Sequence, residues 1–400
     1  MIIGSLNIRG GGSSAKRRRI HQLIVKGNAD IFLIQESKLV AVSNSIAFSF
    51  WRRRDIGFSF MLFVGAFGGL ISLWNSESVQ VLCSFGGEDY LGLKVVWMEE
   101  VFYIVNVYSS CNSGEKRVLW RKLLDLKSRF SDGEWVIAGD FNAAKNMNER
   151  KGSLGRYKVS EARDFLEFIN LSNLVDVPSK GKKFTWFGGD GKARSRIDRF
   201  LVADNIVNKW GVVCQMVGDR DVSDHFPIWL ISNKVNWGPK PFKVNGEWFS
   251  NKDFLPFVEK VWKELVVEGR GDSVLKEKLK ILKESLKWWN LNVFGKYDLA
   301  VEEGVRVMNE GDEMVDDVDR GEDSLGEDEV RRKRRACSDF WFHLKIKENM
   351  LIQKSRLKWL NDGDCNSRYF HNIMKSRRIR NHIGSIVTER GVVDSVEEVK

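Results

Sequence analysis

The sequence predicts an α+β fold in which one β-sheet packs on another, helices cover the outside, and a mainly helical extension follows. Residues 1–232 alternate short apolar runs, rich in β-branched and aromatic side chains, with amphipathic stretches. Tight turns join several of these runs, which favours two packed sheets. From about residue 253 the chain is charged and helical in pattern.

The strand predictions follow the apolar runs. In chain order these are Ile2–Ile8, Asp30–Gln35, Leu70–Trp74, Val79–Ser84, Leu91–Met98, Val101–Tyr108, Trp135–Ala138, Phe184–Phe187, Arg196–Val202 and Ile228–Ser232. Helices are predicted at Lys16–Lys26, Glu115–Phe130 and Ser160–Leu171, where apolar residues recur every three or four positions.

One segment, Ile56 to Trp74, is uncharged and close to the length of a membrane span. It contains four glycines, and Gly68-Gly69 is typical of a turn. Two buried strands around a glycine turn therefore explain the segment better than a membrane helix, and we expect no membrane association.

The chain divides into three predicted parts. Residues 1–232 form the first domain, residues 233–252, with Pro239 and Pro241, form a linker, and residues 253–400 form a helical, charged connector. Residues 302–329 carry thirteen acidic side chains, and five basic residues follow at 331–335. The basic run fits a nuclear-localisation signal, a nucleic-acid patch or a solvated helix face.

Composition limits the class of protein. A net charge of +10 and a pI of about 9.2 favour an acidic partner such as nucleic acid, although a soluble basic surface also explains them. The five cysteines are widely spaced and form no CxxC pair, which indicates reduced thiols. No signal peptide is evident, so we expect a nuclear or cytoplasmic protein that is not secreted.

Polar residues follow a buried strand at Asp140 and Asn142. Being two residues apart, they project to one side of an extended backbone, where a carboxylate and an amide can bind a metal or position a water. An Asx-type turn that caps the strand explains them equally well.

A second polar pair, Asp224-His225, precedes the last strand of the domain. Burial of both side chains would require partners, and a surface turn is the alternative. Asp198 is a single acid within an apolar strand, and we expect it to hold His225 in one tautomer.

Three more polar residues, Asn7, Glu36 and Tyr108, lie at or near the ends of apolar strands. Each is a weak signal alone. Together with the two pairs and Asp198 they bring metal-type and phosphate-type groups to six strand ends, as is common for functional sites on a rigid scaffold.

This ordered set resembles the endonuclease/exonuclease/phosphatase superfamily, which includes exonuclease III, abasic-site endonucleases and DNase I. The phrases Leu6–Gly10, Gln35–Ser37, Gly139–Asn142 and Ser195–Arg199 are most similar to the endonuclease domain of plant non-LTR (LINE-type) retrotransposon polyproteins. Residues Trp359–His371 resemble the connector that precedes reverse transcriptase in those polyproteins. We find no Tyr/Phe-x-Asp-Asp polymerase signature.

The resemblance implies a four-layer α/β/β/α sandwich and Mg²⁺-dependent cleavage of a phosphodiester, with Mn²⁺ as a substitute. Its implied partners are DNA and, in a full-length element, a reverse transcriptase domain or an RNA template. By matching position, the implied metal group is Glu36, Asn7 and Asp224. The implied catalytic group is Asp140 on the water, Asn142 and Tyr108 on the phosphate, and His225 held by Asp198 on the transition state.

One position departs from the abasic-site repair enzymes, which have an acid two residues after the first asparagine. Here that residue is Arg9, which cannot bind a metal but can contact a phosphate. We expect nucleic-acid contacts from Arg9 and from Lys182, Lys183, Arg194 and Arg196, although a solvated turn explains the last four equally well.

The first hypothesis is therefore a metal-dependent DNA endonuclease that nicks target DNA for retrotransposition. The alternatives are a decayed or domesticated transposon fragment that binds nucleic acid, and a phosphatase of small phosphoesters. The basic charge and the LINE-like phrases disfavour the phosphatase.

Overall fold

The computed structural model describes residues 1–52, 55–62, 68–152, 158–189, 192–209, 213–232, 242–292, 306, 327–355, 386–388 and 391–393. The chain forms two compact units. One comprises Met1–Trp237 with Asn372–Lys400, and the other comprises Gly238–His371. The first unit contains the predicted site.

The first unit is built from short strands and five helices among its described residues. The strands are β1 (Ile2–Asn7), β2 (Ile31–Gln35), β3 (Ile56–Met61), β4 (Leu70–Asn75), β5 (Gln80–Gly87), β6 (Tyr90–Trp97), β7 (Glu100–Tyr108), β8 (Glu134–Asp140), β9 (Arg150–Lys151), β10 (Leu174–Asp176), β11 (Ser179–Lys180), β12 (Trp186–Phe187), β13 (Arg194–Ser195), β14 (Asp198–Ala203), β15 (Val213–Val217) and β16 (Ile228–Ser232). The helices are α1 (Ser14–Lys26), α2 (Asn44–Phe50), α3 (Ser113–Arg129), α4 (Val159–Leu171) and α5 (Asp204–Lys209), with a 3-10 turn at Met147–Glu149.

Two large sheets dominate this unit. The first has the strand order β11-β15-β16-β1-β2-β4-β3, and the second has the order β10-β14-β8-β7-β6-β5. The pairs β1–β2 and β7–β8 are parallel, whereas β14 runs antiparallel to β8. Parallel neighbours end at the same edge of a sheet, so each of these pairs delivers two strand ends to one place.

The layers follow from which face each apolar residue buries. Between the sheets lies a fully buried core that includes Ile31 and Leu33 of one sheet and Ile104 and Val136 of the other. Helices α1 and α2 cover the outer face of the first sheet, and α3 and α4 cover the outer face of the second. The predicted α+β class and the α/β/β/α order of layers are confirmed.

The glycine-rich segment from Ile56 forms strands β3 and β4, which pair antiparallel. The prediction of two strands at this place is confirmed. The Trp74 ring packs directly on Gly57, where a Cβ would lie only 2.1 Å from it.

Most predicted strands and helices match observed ones within a few residues. The shortest match is Phe184–Phe187, of which only Trp186–Phe187 is strand. Helix α2 and strands β10 and β15 were not predicted from the sequence. They are short, and tertiary packing, such as burial of Ala47 and Phe50 of α2, stabilises them more than local pattern does.

The second unit contains a 3-10 helix at Gly246–Ser250, α6 (Phe254–Glu264), α7 (Gly271–Asn292) and α8 (Glu327–Ser355). Its core is Trp248, Phe254, Leu286, Trp289 and Ile346. Residues 246–250 lie inside the predicted linker but are helical, and Trp248 is 4% exposed.

Beyond α8, β17 (Ile386–Thr388) pairs antiparallel with β18 (Gly391–Val393). The phrase Trp359–His371 and most of the acidic run lie outside the described residues.

Cys83, Cys111, Cys214 and Cys337 are free, as expected for reduced thiols. Within the described segments, no helix has the length and hydropathy that crossing a bilayer would require.

Candidate active site

The predicted polar residues meet where strand ends of the two sheets converge. Asn7 ends β1, Glu36 follows β2, and Tyr108 and Asp140 end β7 and β8 side by side in register. Asp198 begins β14 directly opposite Asp140. A cavity of about 990 Å³ opens at this edge, and its walls include Glu36, Tyr108, Asp140, Asn142 and His225.

Asn7 joins two carboxylates. Its Nδ2 donates to Glu36 Oε1 at 2.9 Å and to Asp140 Oδ2 at 3.0 Å, while its Oδ1 accepts the backbone N–H of Arg9 at 3.1 Å. The buried amide of Asn7 therefore positions Glu36 and Asp140. A metal contact by Asn7 itself stays a prediction.

His225 is held by Asp198, as expected. Its Nδ1 lies 3.1 Å from both carboxylate oxygens of Asp198, and its Nε2 lies 3.8 Å from Asp140 Oδ2. The three side chains are buried. Asp198 is itself fixed, because its backbone N–H donates to Thr185 Oγ1 at 3.0 Å. Nδ1 is therefore occupied, and Nε2 is the nitrogen directed toward Asp140.

The charges of this cluster shift its pKa values. Burial raises the pKa of Asp140 above its usual range, and the neighbouring Asp198 carboxylate adds to that rise. Burial disfavours the charged form of His225, but Asp198 and Asp140 outweigh it and raise its pKa to about 9. The imidazole is thus favoured as a cation that can donate a proton from Nε2.

Asn142 adopts a left-handed backbone with φ of +47°. Its N–H donates to Asp140 Oδ1 at 2.9 Å, and its Nδ2 donates to Ser109 O at 2.7 Å. Asp140 and Asn142 were predicted to project to one side because the backbone is extended, but the backbone at Asn142 is not extended. An Asx-type turn brings both to the cavity, so the turn and the site coexist.

The turn depends on Gly139, whose φ is +138°. A Cβ at this position would lie 2.0 Å from Val107 O. Only glycine allows β8 to approach β7 this closely while delivering Asp140 to the cavity.

Tyr108 lies at the mouth of the same cavity. Burial raises the pKa of its hydroxyl far above its usual value, and the carboxylates of Glu36 and Asp140 raise it further. The phenol therefore stays protonated and able to donate a hydrogen bond.

Glu36 has the character of a metal ligand. Its carboxylate is buried, with Oε2 3.8 Å from Lys38 Nζ, and it lines the same cavity as Asp140. Hard divalent cations prefer such oxygen donors. Asp140, Asp198 and His225 also have ligand atoms within 4.8 Å of one another. Asp198 is engaged with His225, so Glu36 with Asp140 fits the cation better.

Asp224 makes different contacts from those predicted. Its Oδ2 accepts Arg9 Nη1 at 2.7 Å and Trp186 Nε1 at 2.8 Å. Arg9, half-exposed at the cavity wall, is thus the ion-pair partner of Asp224. The place of Asp224 in a metal group stays a prediction.

Three predicted DNA-contacting residues lie at the surface beside phenylalanine rings. Lys182 Nζ lies 5.0 Å from the Phe226 ring, and Lys183 Nζ and Arg194 Cζ lie 5.6 and 5.5 Å from the Phe184 ring. Lys182 also pairs with the exposed Asp219 at 2.6 Å. Lys182 and Lys183 are exposed and Arg194 is half-buried, which leaves the two lysines accessible to phosphates.

Arg196 is different, because its side chain is 9% exposed and pairs with Glu149 and Asp176 at 3.0 and 2.9 Å. The prediction that it contacts nucleic acid is wrong, since its guanidinium is buried in an ion-pair network. The other members of the network are Arg199 and Lys145.

The sequence reasoning did not find this network, nor the roles of Trp186, Thr185 and Lys116 around the site. Two arginines inside the apolar run Arg196–Val202 were a usable signal, because buried arginines require acidic partners. The contacts of Trp186, Thr185 and Lys116 left no local signal.

Residues 4–225 match the Endonuclease/Exonuclease/phosphatase family, and the chain belongs to it. The match covers more than half of the chain and contains all the residues of the cluster. No curated protein sequence matches the chain significantly.

Three solved structures are similar in fold, each at a TM-score below 0.5. They are a 3′ phosphatase, NExo, from Neisseria bound to a product DNA hairpin (17% identity, TM-score 0.47, 58% of this chain and 99% of that one), an AP endonuclease from Archaeoglobus fulgidus (15%, 0.46, 58% and 99%), and the endonuclease domain of TRAS1, a telomere-specific non-LTR retrotransposon (12%, 0.44, 57% and 96%). The family match carries the assignment.

Proposed function

We propose that this protein is a divalent-metal-dependent phosphodiesterase that nicks DNA. The observation that carries the proposal is the chain of contacts from Asp198 through His225 to Asp140, beside the Glu36 carboxylate in one cavity. These contacts combine a carboxylate that can accept a proton, Asp140, with an imidazolium that can donate one, His225. Hydrolysis of a phosphodiester needs both.

Glu36, with Asp140 beside it, would hold Mg²⁺ or Mn²⁺. The bound ion would neutralise part of the phosphate charge that repels a nucleophile.

Side chains of the protein supply the proton transfers and the contacts with the phosphate. Asp140 orients the attacking water and accepts its proton. His225, fixed by Asp198, donates from Nε2 to the phosphate oxygen where charge develops. Asn142 and Tyr108 donate to the other phosphate oxygens.

Within this class we propose the endonuclease of a plant LINE-type element acting in the nucleus. The phrases Leu6–Gly10, Gly139–Asn142 and Ser195–Arg199 support this assignment. Arg9 supports it as well, because it replaces the metal-site acid of abasic-site enzymes and lies at the cavity wall, where a backbone phosphate would pass. Lys182, Lys183 and Arg194 would hold the flanking duplex through its phosphates.

The test is a nicking assay on supercoiled plasmid with Mg²⁺ or with EDTA. The wild type should produce open circles only with the metal, and His225→Ala should lower the rate by roughly 10²–10⁴-fold. His21→Ala is the matched control, because His21 lies on α1 and contacts the Arg52 backbone.

A folded protein that shifts DNA on a gel but never nicks would contradict the proposal and favour a binding fragment. Phosphate release from small phosphoesters without nicking would favour a phosphatase. An equal rate loss in His225→Ala and His21→Ala would exclude the assigned role of His225.

A further inference from the structure

Lys116 is a buried lysine for which the proposed chemistry has no role. It lies in the first turn of α3, its side chain is 3% exposed, and it contributes to the cavity wall. Its Nζ donates to the backbone carbonyl of Asn142 at 2.6 Å and to Glu161 Oε1 at 2.8 Å. A buried ammonium requires such partners, so the position of the charge is fixed.

Glu161, from α4, is held on both oxygens by α3. Its Oε1 accepts Lys116, and its Oε2 accepts Ser113 Oγ at 2.7 Å. The carboxylate therefore has little freedom, and it directs the Lys116 ammonium toward the loop that follows β8.

The loop that follows β8 is also held at a backbone carbonyl, that of Asn142. Asn142 is held at a φ of +47°, a left-handed conformation that asparagine adopts more readily than most residues, and its contacts fix it there. Its N–H and side chain bind Asp140 Oδ1 and Ser109 O. Lys116 supplies the third contact, and without it the carbonyl would lose a charged donor.

We propose that Lys116, oriented by Glu161, is a positioning residue for the phosphodiester chemistry. It fixes the Asn142 peptide and, through the Asn142 N–H, the orientation of the Asp140 carboxylate. It acts through Asn142, since its contacts are with that carbonyl and with Glu161. The proposal depends on the function proposed above, because it names what aligns the same site.

The test removes the ion pair as a unit. Lys116→Met alone would leave the half-buried Glu161 carboxylate without its cation, so the informative variant is Lys116→Met/Glu161→Leu. The matched control is Arg117→Met/Asp164→Leu, which removes a neighbouring α3–α4 pair of 3.3 Å with a half-exposed arginine. Both variants delete one ion pair between the same two helices.

Four quantities are measured for each variant: turnover at saturating plasmid, DNA affinity in EDTA, melting temperature, and hydrogen exchange of residues 140–146. We expect Lys116→Met/Glu161→Leu to lose at least fivefold in turnover relative to the control variant. Its DNA affinity should stay within twofold and its melting temperature near that of the control. Exchange at 140–146 should be faster only in this variant.

A folded Lys116→Met/Glu161→Leu protein with less than fivefold loss of turnover would overturn the proposal. If the wild type does not nick, the proposed function has failed, and exchange at 140–146 decides the positioning role alone. Unchanged exchange would then overturn it, and faster exchange would support it.

Discussion

Two groups of buried charged residues meet on one strand of this protein, and they differ in how their charges are paired. Asp198 and Arg199 are neighbours on β14, and strand alternation sends their side chains to opposite faces. Asp198 joins Asp140 and His225 at the cavity. Arg199 joins the ion-pair network of Arg196, Lys145, Glu149 and Asp176.

The network contains three cations and two carboxylates in mutual contact, so each charge has opposite partners. The cavity cluster has the carboxylates of Glu36, Asp140 and Asp198, and its histidine is held by one of them. In the network, Arg199 and Arg196 outweigh burial and hold the pKa of Glu149 below its usual range. At the cavity, burial and Asp198 raise the pKa of Asp140. Buried charges that each contact an opposite charge stabilise the fold, whereas neighbouring carboxylates suit a site that binds a cation.

The largest effect should come from Asp140→Asn. Loss of the proton acceptor should lower the nicking rate by roughly 10²–10⁴-fold. Removal of a repelled carboxylate should leave the melting temperature unchanged or higher. Nicking and thermal unfolding of the same preparation check both parts. A variant that nicks normally, or that unfolds well below the wild type, would remove the distinction between the two groups.

Asp176→Asn should have the opposite signature. It removes one of the two carboxylates that Arg196 and Arg199 share and leaves three buried cations to Glu149, which should destabilise the domain by about 3–5 kcal/mol. Urea unfolding measures the loss. The control is Asp125→Asn, which breaks an exposed pair with Arg129 and should change stability little. Equal midpoints for the two variants would mean that the network does not stabilise the fold.

Acid should lower the stability of the fold by protonating the carboxylates of the ion-pair network. Lys145 and the two arginines outweigh burial and hold the pKa values of Asp176 and Glu149 below their ordinary 3.8 and 4.5. A depressed folded pKa gives stability that is present above the ordinary value and lost as the pH falls toward the folded one. The urea midpoint should therefore fall between about pH 4.5 and pH 2, and less steeply in Glu149→Gln. Parallel curves for wild type and variant would contradict this.

The smallest effect should come from Lys183→Ala, a change outside both groups. Lys183 is exposed and lies over Phe184, so its loss should weaken DNA binding by a few fold. It should also lower the slope of log affinity against log salt by roughly 0.9. Binding titrations at several salt concentrations measure both. An unchanged slope would place DNA elsewhere on the domain.

The sequence by itself determined the strands that carry the site and the order of its polar groups. Alternating apolar runs are a local property, and a polar residue at the end of such a run shows in the sequence. This was enough to predict the layers, the strand ends at Asn7, Glu36, Tyr108 and Asp140, and the contact of Asp198 with His225.

Only the tertiary structure decided what each polar group touches. Arg196 is buried in an ion pair with Asp176 of β10. Asp224 accepts a hydrogen bond from Arg9, 215 positions away, and the Asn142 loop is held by Lys116 of α3 and by Ser109. Such partners depend on chain segments that meet only after folding, and burial then sets the charge of each group. Local pattern therefore predicted where the site lies, and packing decided which residues in it can bind, donate or only support.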